Sequence, residues 1–115
     1  MTETDQLFAP AETADPQSPA AFVAWTHSTD TELDGEPVSR ILRDLIGIVN
    51  TYGPEDGDPA HWAAHSDSAW AYGVRARFLE IAYCYCNEHH LPYTFPLQED
   101  ITALLSAVLA DRDFY

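Results

Sequence analysis

The sequence predicts an all-α protein, a compact bundle of four or five helices preceded by a disordered acidic tail. Apolar residues make up 46% of the 115 residues, which is enough to form a core. Segments in which apolar residues recur every three or four positions indicate amphipathic helices. A chain of this length is expected to form one domain. We therefore expect a tail over residues 1–17 and a single helical domain over residues 18–115.

The tail and the first helix differ in composition. Residues 1–17 are polar and acidic and contain two prolines, which is typical of a disordered segment. Ser18 then precedes Pro19, an N-cap residue followed by proline at the first helical position. A short helix is predicted from Pro19 to about His27. The acidic stretch 28–36 that follows is predicted to be a loop.

The second helix has the clearest pattern in the sequence. From Pro37 to Tyr52 the apolar residues follow the spacing of one helical face. Gly53 and Pro54 then end the helix. The residues of this predicted inward face are Val38, Ile41, Leu42, Leu45, Ile46, Val49 and Tyr52.

The remaining helices follow a second acidic loop. Asp58 and Pro59 repeat the cap and proline pattern and open a short helix. A longer helix is predicted from Ser68 to His89, and it is apolar on nearly all sides between Phe78 and Cys86. Such a helix either is central to the domain or meets a second chain, and a short buried strand over 79–86 is the alternative. The last helix is predicted from Pro96 to about Asp111.

The charge of the chain restricts its partners. There are 19 acidic residues against five basic ones, and the net charge is −14. Such a charge repels phosphate backbones and anionic lipids, which argues against direct binding to nucleic acid or to membranes. It favours a partner protein with a basic surface. No apolar run approaches the length of a membrane span, and two closely spaced cysteines suit a reducing compartment, so we expect a cytoplasmic protein.

Histidines and cysteines cluster in the second half of the chain and suggest one metal site. Two pairs four residues apart could supply imidazole and thiolate ligands to zinc. If the long helix is continuous, however, its ends lie about 30 Å apart, which separates the two pairs. The expected reading is therefore no cofactor and no metal. The alternative zinc ligands are His61, His65, Cys86 and His90.

No motif in the sequence predicts catalysis. There is no glycine-rich phosphate loop, nucleophile elbow or HExxH sequence. The sequence therefore favours a non-enzymatic interaction protein that blocks a basic surface of a nucleic-acid-binding protein or toxin, as immunity proteins, phage-encoded inhibitors and nucleic-acid mimics do. The alternatives are a zinc-binding regulator or small metalloenzyme, and a homo-oligomeric structural subunit that dimerises through the Phe78–Cys86 segment. The expected partner contacts are Asp30, Glu32, Asp34, Glu36, Glu55, Asp56 and Asp58.

Overall fold

Five helices and one small hairpin make up the part of the chain that the computed structural model describes, residues 15–92, 96 and 98–111. This architecture confirms the predicted all-α bundle. The predicted tail lies outside the described residues except for residues 15–17, which form a turn. The elements in chain order are α1 (Pro19–Ser28), β1 (Glu32–Leu33), β2 (Glu36–Pro37), α2 (Val38–Tyr52), α3 (Pro59–His65), α4 (Ala69–Glu88) and α5 (Gln98–Ala110).

Three of the helices begin at a side-chain cap. The prolines predicted at the first helical position stand at the starts of α1 and α3. Each cap satisfies one of the backbone amides that a helix N-terminus leaves without an intrahelical partner. The capping side chains of Ser18, Asp58 and Ser68 accept hydrogen bonds from the amides of Ala21, Ala60 and Trp70, over 3.2, 3.0 and 3.2 Å.

The longest helix, α4, is the central one. It packs against α2 on one side and α3 on another, and other helices of the same chain bury Phe78, Ile81 and Tyr85 of its apolar segment. The alternative of a strand over residues 79–86 is wrong, because that segment continues the helix without a break. Among the described residues, no helix combines the length and the apolar character needed to cross a bilayer.

Aromatic rings join α1 to α4 in the centre of the core. Phe22 is fully buried, and its ring centroid lies 5.5 Å from Phe78 and 5.3 Å from Tyr85, both with edge-to-face geometry. Trp25 also packs edge-on against Tyr85, at 5.1 Å. The Tyr85 hydroxyl donates a hydrogen bond to the carbonyl of Pro16, and burial raises the pKa of this phenol. The turn before α1 is thereby connected to the central helix.

The short helix α3 packs against two longer helices through alanines. Ala60, Ala63 and Ala64 are completely buried, and α3 contacts both α4 and α5. Side chains this small let helix backbones approach closely. The C-terminal end of α3 is held by Arg75 of α4, which donates hydrogen bonds to the carbonyl oxygens of Ala63 and Ser66, over 3.1 and 3.3 Å.

The last helix, α5, covers the remaining side of the core and packs against α1 and α3. Its buried residues recur at the i, i+3, i+4, i+7 spacing of one helical face. The helix is therefore anchored at both ends of the inward face. These buried residues are Ile101, Leu104, Leu105 and Val108.

Two glycines, Gly47 within α2 and Gly53 at its C-cap, are expected to respond in opposite directions to substitution by alanine. A methyl group at the exposed Gly47 would meet no atom within 4 Å, so Gly47→Ala should raise the free energy of unfolding by about 0.5–1 kcal/mol. At Gly53 a methyl group would lie 2.3 Å from the carbonyl oxygen of Val49, so Gly53→Ala should lower it by about 1–3 kcal/mol. Urea denaturation followed by circular dichroism measures both values. Stabilisation by Gly53→Ala would contradict the close contact.

Candidate functional site

The seven acidic residues predicted to bind a partner are all exposed, but they form two separate surfaces. The hairpin surface comprises Asp30, Glu32, Asp34 and Glu36, and it precedes α2. The loop surface comprises Glu55, Asp56 and Asp58, and it follows α2. The 15 residues of α2 separate the two surfaces by about 22 Å at 1.5 Å per residue. The carboxylates therefore do not converge on one point.

The hairpin surface is built on a tight turn that the sequence analysis placed in a loop. Asp34 and Gly35 both have positive φ angles, 54° and 84°, and the antiparallel register pairs Leu33 with Glu36. An Asp-Gly pair is the typical sequence of such a two-residue hairpin. The loop expectation for residues 28–36 was wrong because this signal was outweighed by the polar composition of the segment. The turn presents its acidic side chains on a defined backbone.

One arginine joins the hairpin to the central helix. The guanidinium of Arg77 lies 2.9 Å from a carboxylate oxygen of Asp34 and 3.0 Å from one of Glu80. Its hydrogen bonds to Glu80 and then to Asp34 raise the pKa of Arg77 further above its ordinary value. Glu80 lies three residues from Arg77 on the same helix, whereas Asp34 is 43 residues away in the sequence. Asp34 is therefore partly neutralised from within the chain.

A polar groove of about 630 Å³ lies beside the hairpin surface, where α1 and α4 end. Glu88 is its central group, because its carboxylate accepts hydrogen bonds from the Trp25 indole, at 2.9 Å, and from the Thr31 hydroxyl. The C-terminal end of a helix carries partial negative charge, so the ends of α1 and α4 add to the negative charge of the Glu88 carboxylate. The sequence analysis missed Glu88, which is 63 residues from Trp25 and has no local motif. The lining residues are Trp25, Ser28, Thr29, Asp30, Thr31, Glu88 and His89.

The loop surface borders a smaller pocket, of about 310 Å³. Its backbone turns at Gly57, where φ is 104°. The carboxylate of Asp58 is used in the N-cap of α3, so Glu55 and Asp56 are the side chains of this surface without a structural bond to a described residue. The pocket is lined by Pro54, Asp56, Gly57, Asp58, His61, Trp62, His65 and Ser66.

The structure does not assemble the alternative zinc site. His61 and His65 lie one turn apart with ring centroids separated by 4.4 Å, as their spacing predicts. Cys86 and His90 lie at the other end of α4, and Cys86 is fully buried. Within residues 15–92, 96 and 98–111, no group of three or more histidine, cysteine, aspartate or glutamate side chains could hold a metal ion. The zinc alternative is therefore not supported by this geometry.

Both cysteines act as apolar groups of the helix. Cys84 is half-buried, Cys86 is fully buried, and they form no disulfide. Burial raises the pKa of both thiols, and the carboxylates of Glu88 and Glu80 raise that of Cys84 further. A raised pKa keeps a thiol neutral at pH 7, and the neutral thiol is a poor nucleophile and a poor metal ligand.

The segment predicted to mediate dimerisation is used mainly inside the subunit. Phe78, Ile81 and Cys86 are buried, and Leu79 is half-buried against the same core. Tyr83 is its one large apolar residue with substantial exposure among those described, at 40%. Most apolar side chains of this segment are therefore buried by other helices of the same chain.

Exposed aromatic residues occur at the opposite end of α4. The rings of Tyr52 and Trp70 stack in parallel, with centroids 3.8 Å apart and an interplanar angle of 4°. Tyr72 lies nearby in sequence, and the guanidinium of Arg75 lies 5.4 Å from its ring centroid. Arg75 and Arg77 are thus both engaged within the chain.

The described surface can therefore offer carboxylates, helix C-termini and exposed aromatic rings, all of which interact favourably with cations. It offers few groups for anions, because two of the four described arginines are bonded internally. Comparisons of the chain with protein families, with curated proteins and with solved structures gave no match.

Proposed function

We propose that this protein is a non-enzymatic binding module that covers a basic surface of a partner protein. The observation that supports the proposal is a set of exposed carboxylates at the two ends of α2 that form no ion pair with any described residue. Three lie on the hairpin surface and two on the loop surface. They are Asp30, Glu32, Glu36, Glu55 and Asp56.

Charge of this kind acts on a partner mainly before contact. Complementary potentials steer the encounter of two proteins and disfavour partners of like charge. With a net charge of −14, the protein attracts arginine- and lysine-rich surfaces. Such surfaces are typical of proteins that bind nucleic acid and of many toxins, and the proposed role is to occupy them, as inhibitors and immunity proteins do. Two cysteines that form no disulfide favour a cytoplasmic location for this role.

The role of these particular carboxylates is tested by comparing two variants that have the same net charge but lose their carboxylates at different positions. One variant replaces the five residues by amides (Asp30→Asn, Glu32→Gln, Glu36→Gln, Glu55→Gln and Asp56→Asn). Its net charge changes from −14 to −9, since five carboxylates become neutral. The affinity for a synthetic peptide of eight lysines in 50 mM NaCl is then measured by fluorescence anisotropy. Loss of two or three exposed ion pairs should weaken binding about tenfold.

The control removes the same number of charges elsewhere. Amides at Glu3, Asp5, Glu12, Asp15 and Asp44 also give a net charge of −9. This variant should lose less than about twofold in affinity, because the hairpin surface and the loop surface keep their carboxylates. An equal loss in the two variants would show that only the total charge matters. The proposal of a dedicated binding surface would then be wrong.

A further inference from the structure

The stacked pair of Tyr52 and Trp70 is an exposed aromatic site. Tyr52 ends α2 and Trp70 lies in the first turn of α4, so two helices fix the rings. Each ring covers one face of the other, yet the residues remain 47% and 48% exposed. The pair therefore remains accessible to another planar group.

Acidic residues lie close in the sequence to both members of this aromatic pair. Glu55 and Asp56 follow Tyr52 by three and four residues, and Asp67 precedes Trp70 by three. All three are exposed. An aromatic face in a negative field attracts a cation, because the ring quadrupole and the carboxylates act in the same direction. Of the four described arginines, none lies over either ring of the pair.

The same helix shows how an aromatic residue of this chain holds an arginine. The guanidinium of Arg75 lies over the ring of Tyr72, 5.4 Å from its centroid, while it donates to the carbonyls that end α3. Tyr72 is thus occupied by a cation of its own chain. The Tyr52–Trp70 pair presents a larger aromatic surface at the same end of α4 without that occupant.

We propose that the Tyr52–Trp70 pair is the anchoring point for an arginine side chain of the basic partner. This inference rests on the proposed function and assigns separate roles to its two surfaces. The loop surface and the aromatic pair hold the guanidinium. The hairpin surface, at the other end of α2, attracts the partner by charge. Arginine fits better than lysine because its planar, weakly hydrated guanidinium stacks on aromatic rings. Nucleobases also stack on such rings, but their phosphates are repelled by this protein.

The test compares two synthetic probes of equal charge, a peptide of eight arginines and a peptide of eight lysines. Both should bind in 50 mM NaCl, and the arginine peptide should bind about fivefold more tightly. It should also quench tryptophan emission more strongly, since Trp70 is the most exposed of the three tryptophans, Trp25 being buried and Trp62 half-buried. An oligothymidylate of eight residues should not bind.

Variants then locate the preference. Tyr52→Leu and Trp70→Leu keep apolar bulk at half-exposed positions but remove the aromatic faces. Each should bring the ratio of the two affinities close to one and leave the affinity for the lysine peptide unchanged. Tyr72→Leu is the matched control, an exposed aromatic residue of the same helix that is already occupied by Arg75. It should leave the preference for arginine intact.

The outcomes separate this inference from the proposed function. Equal affinity of the unaltered protein for the two peptides would overturn the anchoring role alone. A preference for arginine that persists in both leucine variants would do the same, as would binding of the oligothymidylate. Failure of both peptides to bind would overturn the proposed function together with the anchor. The comparison with the unaltered protein needs no variant, so a variant that fails to fold does not prevent the decision.

Discussion

Replacing Phe22 with alanine is expected to lower the free energy of unfolding by about 3–5 kcal/mol, the usual cost of truncating a buried phenylalanine. The ring is fully buried and contacts three aromatic partners, Trp25, Phe78 and Tyr85, with centroid distances between 5.3 and 6.0 Å. Truncation leaves a cavity where α1 meets α4, and it removes the edge-to-face contacts in addition to the buried area. Because domains of this size are stabilised by about 5–15 kcal/mol, the loss is a large share of the total.

Urea denaturation followed by circular dichroism measures this loss. Tyr72→Ala is the matched control, since it removes a ring of similar size that is 64% exposed. It should cost less than about 1 kcal/mol, most of it from the contact with Arg75. A cost below 1 kcal/mol for Phe22→Ala would show that α1 does not belong to the cooperative core.

Raising the NaCl concentration from about 50 to about 500 mM is expected to slow association with the eight-lysine peptide about a hundredfold, within the range known for steered encounters. The screening length falls over this interval from about 14 to about 4 Å. At the higher salt, the exposed carboxylates at either end of α2 no longer act on a peptide before contact. Dissociation should change much less, because charges at the edge of an interface act mainly on the association rate.

Stopped-flow fluorescence separates the two rates. The variant with amides at Asp30, Glu32, Glu36, Glu55 and Asp56 should show a shallower salt dependence than the variant with amides at the five control positions. Both carry the same net charge, so the difference reports where the charge lies. An association rate that is independent of salt would exclude electrostatic steering as the basis of the proposed function.

The sequence was sufficient for the features that depend on neighbours along the chain. The three- and four-residue spacing of Val38, Ile41 and Leu45 determines which face of α2 is buried. Ser18-Pro19 and Asp58-Pro59 mark two helix starts because an N-cap and a proline act within one turn. In these places the local chemistry alone decides the structure.

Contacts between distant segments could not be predicted in this way. Glu88 meets the Trp25 indole across 63 residues, and Tyr52 stacks on Trp70 between two helices. Neither contact has a spacing that a single sequence reveals, because both depend on how whole helices pack. The histidine and cysteine cluster shows the opposite error, in which residues grouped in the sequence are far apart in the structure. His61 and Cys86 belong to this cluster but are separated by the length of α4. The hairpin at Asp34 and Gly35, in contrast, could have been predicted, because an Asp-Gly pair is typical of a two-residue hairpin turn.

The three buried alanines of α3 have a consequence for how this part of the protein can change. Ala60, Ala63 and Ala64 are buried where α3 packs against both α4 and α5. Their methyl side chains are small enough to let the three helices pack closely. A larger residue at any of them would act as a wedge between elements that are fixed elsewhere by Arg75 and by the core. We therefore expect these positions to accept only glycine or serine in place of alanine, whereas the neighbouring exposed position His61 should accept larger residues.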